Sequence, residues 1–163
     1  MMEAIYSFFT QFPDWLATML LAMLPIIELR GSIPFAIGVF EMAPWLAFLL
    51  SIIGDIIPAI LIVLFLKPLS VWLASKSKLF KKLFDWWFRH VTKNFEKKYA
   101  KYGEWALLIF VAIPLPITGA WTGAVAAFLF SIPRKRSIFF ISGGVIIAGI
   151  LVTLISIGAF KIF

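Results

Sequence analysis

The sequence lacks cysteine and contains a single histidine, His90. Without cysteine the chain can form no disulfide, no thiolate metal site and no cysteine nucleophile. One histidine cannot supply the clustered imidazoles of a zinc site. The sequence also has no Ser/His/Asp set and no glycine-rich phosphate loop of the Walker or Rossmann type. We therefore expect no enzyme, no metal site, no cofactor and no ATP-driven pump.

Charge is scarce as well: 14% of the 163 residues are charged, whereas 63% are apolar, including 18 Phe and 7 Trp. Soluble globular chains are about a quarter charged and about half apolar. A soluble domain of this size could not bury so many aromatic side chains. No Lys or Arg precedes Arg30, so we expect no cleaved signal peptide, whose start is basic. The composition predicts a single membrane domain over residues 1–163.

Two stretches are long enough to cross the apolar part of a bilayer, which takes about 20 helical residues. Trp45–Leu66 carries one charge, Asp55, and is followed by Lys67-Pro68. Ser137–Phe160 carries no charge. Both are predicted to be transmembrane helices.

Two further apolar stretches, Trp15–Phe40 and Trp105–Ile132, are interrupted by proline and glycine. The interrupting residues include Pro25, Gly31, Pro34 and Gly38 in the first stretch, and Pro114, Pro116, Gly119 and Gly123 in the second. Proline removes a backbone donor and glycine weakens a helix, so neither stretch can be one regular helix. Each is predicted to be a re-entrant hairpin of two half-helices. Irregular backbone at membrane depth must be buried in protein or line a wet cavity, so a site is expected at these turns.

The two halves of the chain are related by a constant offset of 89 residues. The offset aligns Pro25 with Pro114, Pro44 with Pro133, Gly54 with Gly143, and Ala59 with Ala148. Prolines and a glycine thus recur at equivalent points of each half. We predict an internal repeat, with repeat one over about 15–66, repeat two over about 105–160 and a basic linker over about 67–104.

Thirteen of the fifteen basic residues fall in two places, ten from Lys67 to Lys101 and three in the run Arg134–Arg136. A nucleic-acid surface is disfavoured because apolar spans flank both clusters. The positive-inside rule places both in the cytoplasm of a multi-pass plasma-membrane protein, with both termini outside. The hairpins then enter from opposite faces. This inverted repeat is typical of secondary transporters.

The linker has the pattern of an amphipathic helix over Lys76–Tyr102. Its apolar face comprises Phe80, Phe84, Trp87, Val91, Phe95, Tyr99 and Tyr102. Lysines occupy most of the remaining face. The pattern predicts an interfacial helix with its apolar face in the acyl boundary and the cations of Lys76–Lys101 on anionic headgroups. It would serve as a topological anchor or gather lipid headgroups.

Glu28 and Arg30 are the sharpest site candidates, because an ionisable group at membrane depth costs about 2.5–3.5 kcal/mol on insertion scales. In a non-helical run between Pro25 and Pro34 their side chains would lie on one side of an extended segment. Arg30 could clamp a phosphate or carboxylate. Glu28 could pair with Arg30 and take a proton when an anion displaces it. Gly31 and Pro34 belong to this binding segment; a purely structural ion pair is the alternative.

Two other places could take part. Asp55 is a second candidate for proton coupling, or a hydrogen-bonded packing residue. The second hairpin offers the hydroxyls of Thr118 and Thr122 and the amides around Gly119 and Gly123. These lie at the start of a half-helix, where the dipole favours an anion. The same small residues could instead form a packing stripe.

Several of these segments resemble a known family. They are the run Pro25–Pro34, the basic run ending in Lys101-Tyr102-Gly103, and Pro114-Leu115-Pro116 with Thr118-Gly119 and Trp121-Thr122-Gly123. Together they resemble the small multidrug export protein family over nearly the whole chain. The resemblance implies a small membrane transporter without fixing its substrate.

A more distant resemblance is to the DedA superfamily, which has paired re-entrant hairpins and members implicated in moving lipid phosphates such as undecaprenyl phosphate. Glu28 matches its acidic position in the first hairpin. DedA proteins carry arginines around a proline of the second hairpin, whereas this chain has Ile117, Thr118 and Gly119. A lipid-phosphate substrate would therefore need Arg30 as its cation.

The leading hypothesis is a transporter of an amphipathic, anionic lipid substrate, with Glu28 and Asp55 as coupling groups and Arg30 as the clamp. One alternative is a proton-coupled exporter of cationic drugs, in which Glu28 or Asp55 binds the cation. Another is a membrane scaffold whose basic helix binds anionic lipid. A homodimer is compatible with so few spans, and no nucleic-acid partner is expected.

The topology can be tested with the variant Ser77→Cys, which introduces the sole cysteine of the chain. We expect a membrane-impermeant maleimide to label it only after the cells are permeabilised. Labelling from outside intact cells would reverse the orientation.

Overall fold

The computed structural model describes residues 9, 11–76, 78–113 and 118–162 of the chain. All regular structure within these residues is helical, as the sequence predicts. The helices are α1 Asp14–Ala22, α2 Glu28–Gly38, α3 Pro44–Lys76, α4 Lys78–Tyr102, α5 Trp105–Ala112, α6 Ala120–Leu129 and α7 Arg134–Ile162. Ser77 and the predicted helix breakers Pro114 and Pro116 lie outside the described residues.

Within the described ranges, two helices are long and apolar enough to cross a membrane. Their apolar parts are Pro44–Leu66 in α3, with 23 residues, and Arg134–Ala159 in α7, with 26. At 1.5 Å per residue each is about 35 Å long or more, which exceeds the roughly 30 Å of a bilayer core. The helix does not end at Lys67-Pro68 as expected, because Pro68 removes only one backbone hydrogen bond and α3 continues to Lys76.

The chain divides into two compact units, and each is built around one hairpin. Unit one contains the described residues up to Ile57 and those from Val145 onward. In it α1 and α2 pack against each other across the turn at 23–27. Buried Ala17 and Leu21 of α1 contribute to an apolar cluster with Phe35 of α2. The predicted pair of short helices is thus present in the first hairpin; its re-entrant path in a membrane stays a prediction.

The break in the first hairpin lies earlier than predicted. Glu28 begins α2, and Pro34 sits inside this helix rather than at its edge. The prediction that Glu28 and Arg30 occupy an extended run is therefore wrong. They lie in the first helical turn, where residues two apart are about 200° apart around the axis. Proline removes one hydrogen bond of α2, that of the Arg30 carbonyl, and the packing of α2 on α1 tolerates the loss.

Unit two spans residues 58–144 and holds the second hairpin and the linker. Helix α4 packs against α5 and α6 of this hairpin. The Phe95 ring lies 5.4 Å from that of Phe110 and 5.0 Å from that of Phe130, and the Tyr99 ring lies 4.8 Å from that of Phe130. Val91 and Phe95 are fully buried.

This packing corrects one expectation about the linker. Its apolar face from Val91 to Tyr99 contacts protein rather than the acyl boundary, because an aromatic face packs as well on a helical hairpin as on lipid tails. The opposite face carries exposed Lys93, Lys97 and Lys101, as the amphipathic pattern predicts. The side chains of Phe80 and Phe84 lie outside the part that the structure describes.

In each unit a helix of the hairpin packs closely against a glycine of a long helix. In unit one a Cβ on Gly54 would collide with the carbonyl oxygen of Met19 and come within 2.9 Å of Ala22. In unit two a Cβ on Gly144 would lie 2.9 Å from the carbonyl oxygen of Leu108 and 2.7 Å from Val111. Met19 and Ala22 align with Leu108 and Val111 at the offset of 89, while the glycine contact is shifted by one residue. The hairpin-on-span packing therefore recurs in both units, while the internal repeat and its inverted orientation stay predictions.

Gly54→Ala tests this packing, with Gly158→Ala as the matched control on a span. The new methyl at Gly54 meets the backbone of α1, which can move aside only together with the whole helix, so we expect a loss of about 1–3 kcal/mol in the free energy of unfolding. A Cβ at Gly158 meets nothing within 4 Å, and alanine favours a helix over glycine by up to about 1 kcal/mol. Thermal unfolding in detergent, followed by tryptophan fluorescence, measures both. Equal midpoints for the two variants would contradict the contact.

Candidate functional site

Four buried polar side chains of unit one lie on the facing sides of α2 and α3. Glu28 and Ser32 are one helical turn apart on α2, and Ser51 and Asp55 are one turn apart on α3. Side chains four residues apart share a helix face. The hydroxyl of Ser32 donates to that of Ser51 at 2.7 Å, so these two faces meet. With Arg30, these residues form what we call the polar cluster: Glu28, Arg30, Ser32, Ser51 and Asp55.

Arg30 and Glu28 form an ion pair within the cluster. Nη1 of Arg30 lies 3.8 Å from Oε2 of Glu28, and their side chains are 21% and 7% exposed. The predicted pairing is therefore present, although the geometry is helical rather than extended. The distance exceeds that of a direct hydrogen bond, so the pair holds by charge more than by hydrogen-bond geometry.

Asp55 completes the cluster from α3. It is 1% exposed. Glu28 and Arg30 lie close enough to act on its charge, and the backbone N–H of Leu29 donates to its carboxylate. Leu29 belongs to the first turn of α2, where backbone donors have no partner within the helix and the dipole favours a negative group. Asp55 thus caps α2 from a neighbouring helix.

The charge of the cluster is unbalanced. It holds two carboxyl groups and one guanidinium, so it is negative by one charge when all three ionise. Oδ1 of Asp55 is buried and has no hydrogen-bond partner among the described residues. A buried charge without compensation is costly, and a proton or a bound cation would relieve it.

The backbone at Glu28 is strained. Its φ is +50°, in the left-handed region that costs residues other than glycine about 1–2 kcal/mol. Strain of this kind persists only where surrounding contacts impose it, and it concentrates at functional sites. Sequence reasoning missed this strain and also missed Ser32 and Ser51. The spacing of four residues from Glu28 to Ser32 and from Ser51 to Asp55 was a signal that could have found both serines.

The remaining candidates lie elsewhere or serve packing. The hydroxyl of Thr118 donates to the Ile113 carbonyl at 2.9 Å, and that of Thr122 donates to the Gly119 carbonyl at 3.2 Å. A Cβ on Gly123 would lie 2.6 Å from a methyl of Val111.

All of these contacts are in unit two. Gly119 is buried at the start of α6 in an extended conformation. In unit one, Gly31 packs against the side chain of Ile27 and Pro34 lies inside α2. The structure thus brings together Glu28, Arg30 and Asp55, and it uses the second-hairpin hydroxyls to bond local backbone.

An exposed ion pair joins the ends of the two basic segments in unit two. Nη1 of Arg136 lies 2.9 Å from Oε1 of Glu104 and 3.2 Å from Oε2. Glu104 lies two residues after the end of α4, and Arg136 is in the first turn of α7. The run Arg134–Arg136 and the end of α4 therefore lie at the same end of this unit, while their cytoplasmic location stays a prediction.

Comparison with known proteins gives one finding. Residues 28–151, which include the polar cluster, Gly54 and Gly144, match the sequence family described as "Putative small multi-drug export protein". Among curated proteins and among solved structures no match was found.

Removing the guanidinium of the cluster tests its electrostatic role. In Arg30→Met two buried carboxyl groups lose their counter-ion, and we expect a loss of up to about 3 kcal/mol in the free energy of unfolding. The double variant Glu28→Gln/Arg30→Met should recover part of this loss because it also removes one buried acid. Thermal unfolding in detergent measures both.

Arg136→Met is the matched control, because the Arg136 side chain is 65% exposed. An exposed pair contributes about 1 kcal/mol or less. Equal losses in Arg30→Met and Arg136→Met would contradict the proposed role of burial.

Proposed function

The chain belongs to the family of small multi-drug export proteins, and on this premise we propose that it exports cationic amphipathic molecules in exchange for protons at the polar cluster. The observation that carries the proposal is the excess of one carboxyl group over the guanidinium in a buried site between α2 and α3. Such ionisable groups in an apolar chain mark substrate or proton pathways.

The charge balance supports the exchange. When the site is empty, a proton on Glu28 or Asp55 removes the uncompensated negative charge. When a substrate cation enters, that proton leaves, and the net charge of the cluster is the same in both states. One cation therefore replaces one proton, and neither state leaves an unpaired charge in the protein interior.

The same charge balance disfavours an anionic substrate. A lipid phosphate would approach two carboxyl groups, and Arg30 would have to leave Glu28 to bind it. A lipid phosphate is nevertheless the second candidate. The ion pair is long, at 3.8 Å, and a guanidinium matches the oxygens of a phosphate. Glu28 would then take a proton as Arg30 moves away.

Transport by the purified protein in proteoliposomes tests the first candidate. With an acidic interior, we expect a labelled amphipathic alkylguanidinium, which stays charged over the working range of pH, to accumulate inside while protons leave. Asp55→Asn and Glu28→Gln remove a group that exchanges the proton, and each should lower this flux at least about tenfold. A pH-sensitive dye inside the vesicles reports the protons.

Asp14→Asn is the matched control, because Asp14 is an exposed carboxyl group of α1 in the same unit. Its flux should equal that of the parent. Equal flux in Asp55→Asn and the parent would rule out Asp55 as the exchanging group. Absence of any cation flux in the parent would reject the proposed exchange.

The second candidate is tested in vesicles that carry labelled polyprenyl phosphate. Movement of this lipid that is lost in Arg30→Ala would favour the lipid-phosphate function over cation export. Movement that persists unchanged in Arg30→Ala would exclude the clamp. No movement of either substrate by the parent would favour the scaffold alternative.

A further inference from the structure

Oδ1 of Asp55, which has no hydrogen-bond partner among the described residues, can select between cations. We infer that the preferred substrates carry N–H donors on the charged group, as guanidinium and protonated amine groups do, and that fully methylated cations bind much more weakly. This inference rests on the proposed function, namely that the polar cluster binds a cation.

Other polar groups of the cluster already take part in hydrogen bonds or an ion pair. The hydroxyl of Ser32 donates to that of Ser51, and the N–H of Leu29 donates to the Asp55 carboxylate. Arg30 is placed on Glu28. Oδ1 of Asp55 is the acceptor that has no donor among the described residues of the cluster.

A ligand must carry a hydrogen-bond donor to satisfy Oδ1 of Asp55. A methyl group on a quaternary nitrogen brings charge but no donor, so Oδ1 would stay without a hydrogen bond in the bound state. A guanidinium or ammonium N–H brings both charge and donor. Sites built to hydrogen-bond a ligand group discriminate strongly against an analogue that lacks it, because their own polar atoms are then left unpaired.

The side chains of the polar cluster also differ from those that bind quaternary ammonium groups. Proteins recognise quaternary ammonium groups with faces of aromatic rings, whereas the polar cluster consists of carboxyl, hydroxyl and guanidinium groups. A planar group with hydrogens at its edge suits these surroundings better than a rounded group covered with methyls.

Equilibrium binding to the full chain in nanodiscs tests the inference. The probes are hexylguanidinium and hexyltrimethylammonium, which share chain length and charge; a guanidinium stays protonated over the working range of pH. Protein-free nanodiscs correct for partition into lipid. We expect hexylguanidinium to bind about ten- to a hundredfold more tightly, and the ratio to fall towards one in Asp55→Asn but not in Asp14→Asn.

A series of guanidinium probes with successive N-methyl groups provides a second measurement that needs no variant. Affinity should fall as the N–H groups are lost. Equal binding of the two hexyl probes to the parent would overturn the inference while leaving cation export standing. A preference that persists in Asp55→Asn would also overturn it, since the selectivity would lie elsewhere. Binding of neither probe, together with no cation flux, would reject the proposed function itself.

Discussion

The carboxylate of Asp55, buried in an apolar span and placed at the first turn of α2, is the constraint on which unit one depends. A buried carboxylate needs donors and counter-charge, and both come from one short segment: the N–H of Leu29 and the guanidinium of Arg30. Both groups lie in the first turn of α2, which begins at Glu28 with φ at +50°. The strained residue therefore lies at the point where the start of α2 meets the acid on α3.

The length and position of the elements were largely predictable from the sequence, because they follow from local chemistry. Two uninterrupted apolar runs gave two long helices, and proline and glycine separated the shorter ones. The exact break was not predictable, since Pro34 removes one hydrogen bond and tertiary packing decides whether a helix survives it. The partner of the linker's apolar face was also not predictable. An aromatic stripe shows that a face will be covered, but lipid and the second hairpin cover it equally well in principle.

The charged members of the site could be found from the sequence, because Glu28, Arg30 and Asp55 are costly in an apolar chain and therefore conspicuous. Their assembly could not be found, because Asp55 lies on a different helix from the other two and nothing local specifies the distance. The offset of 89 residues relates the packing of the two units but not their polar residues. It aligns Ser32 with Trp121 and Asp55 with Gly144, so the packing recurs in unit two while the polar chemistry does not.

Adjacent residues of α3 thus carry two different contacts of the same hairpin. Gly54 packs against the backbone of α1, and Asp55 lies against the first turn of α2. Helices α1 and α2 also pack on each other. A change in what Asp55 binds therefore affects the turn of α3 that contacts α1 through Gly54. A glycine contact is made of backbone and small atoms, so it can shift with little loss of side-chain packing. The charge state of Asp55 is thereby linked to the position of the whole hairpin, and the exchange proposed for the polar cluster requires such a link.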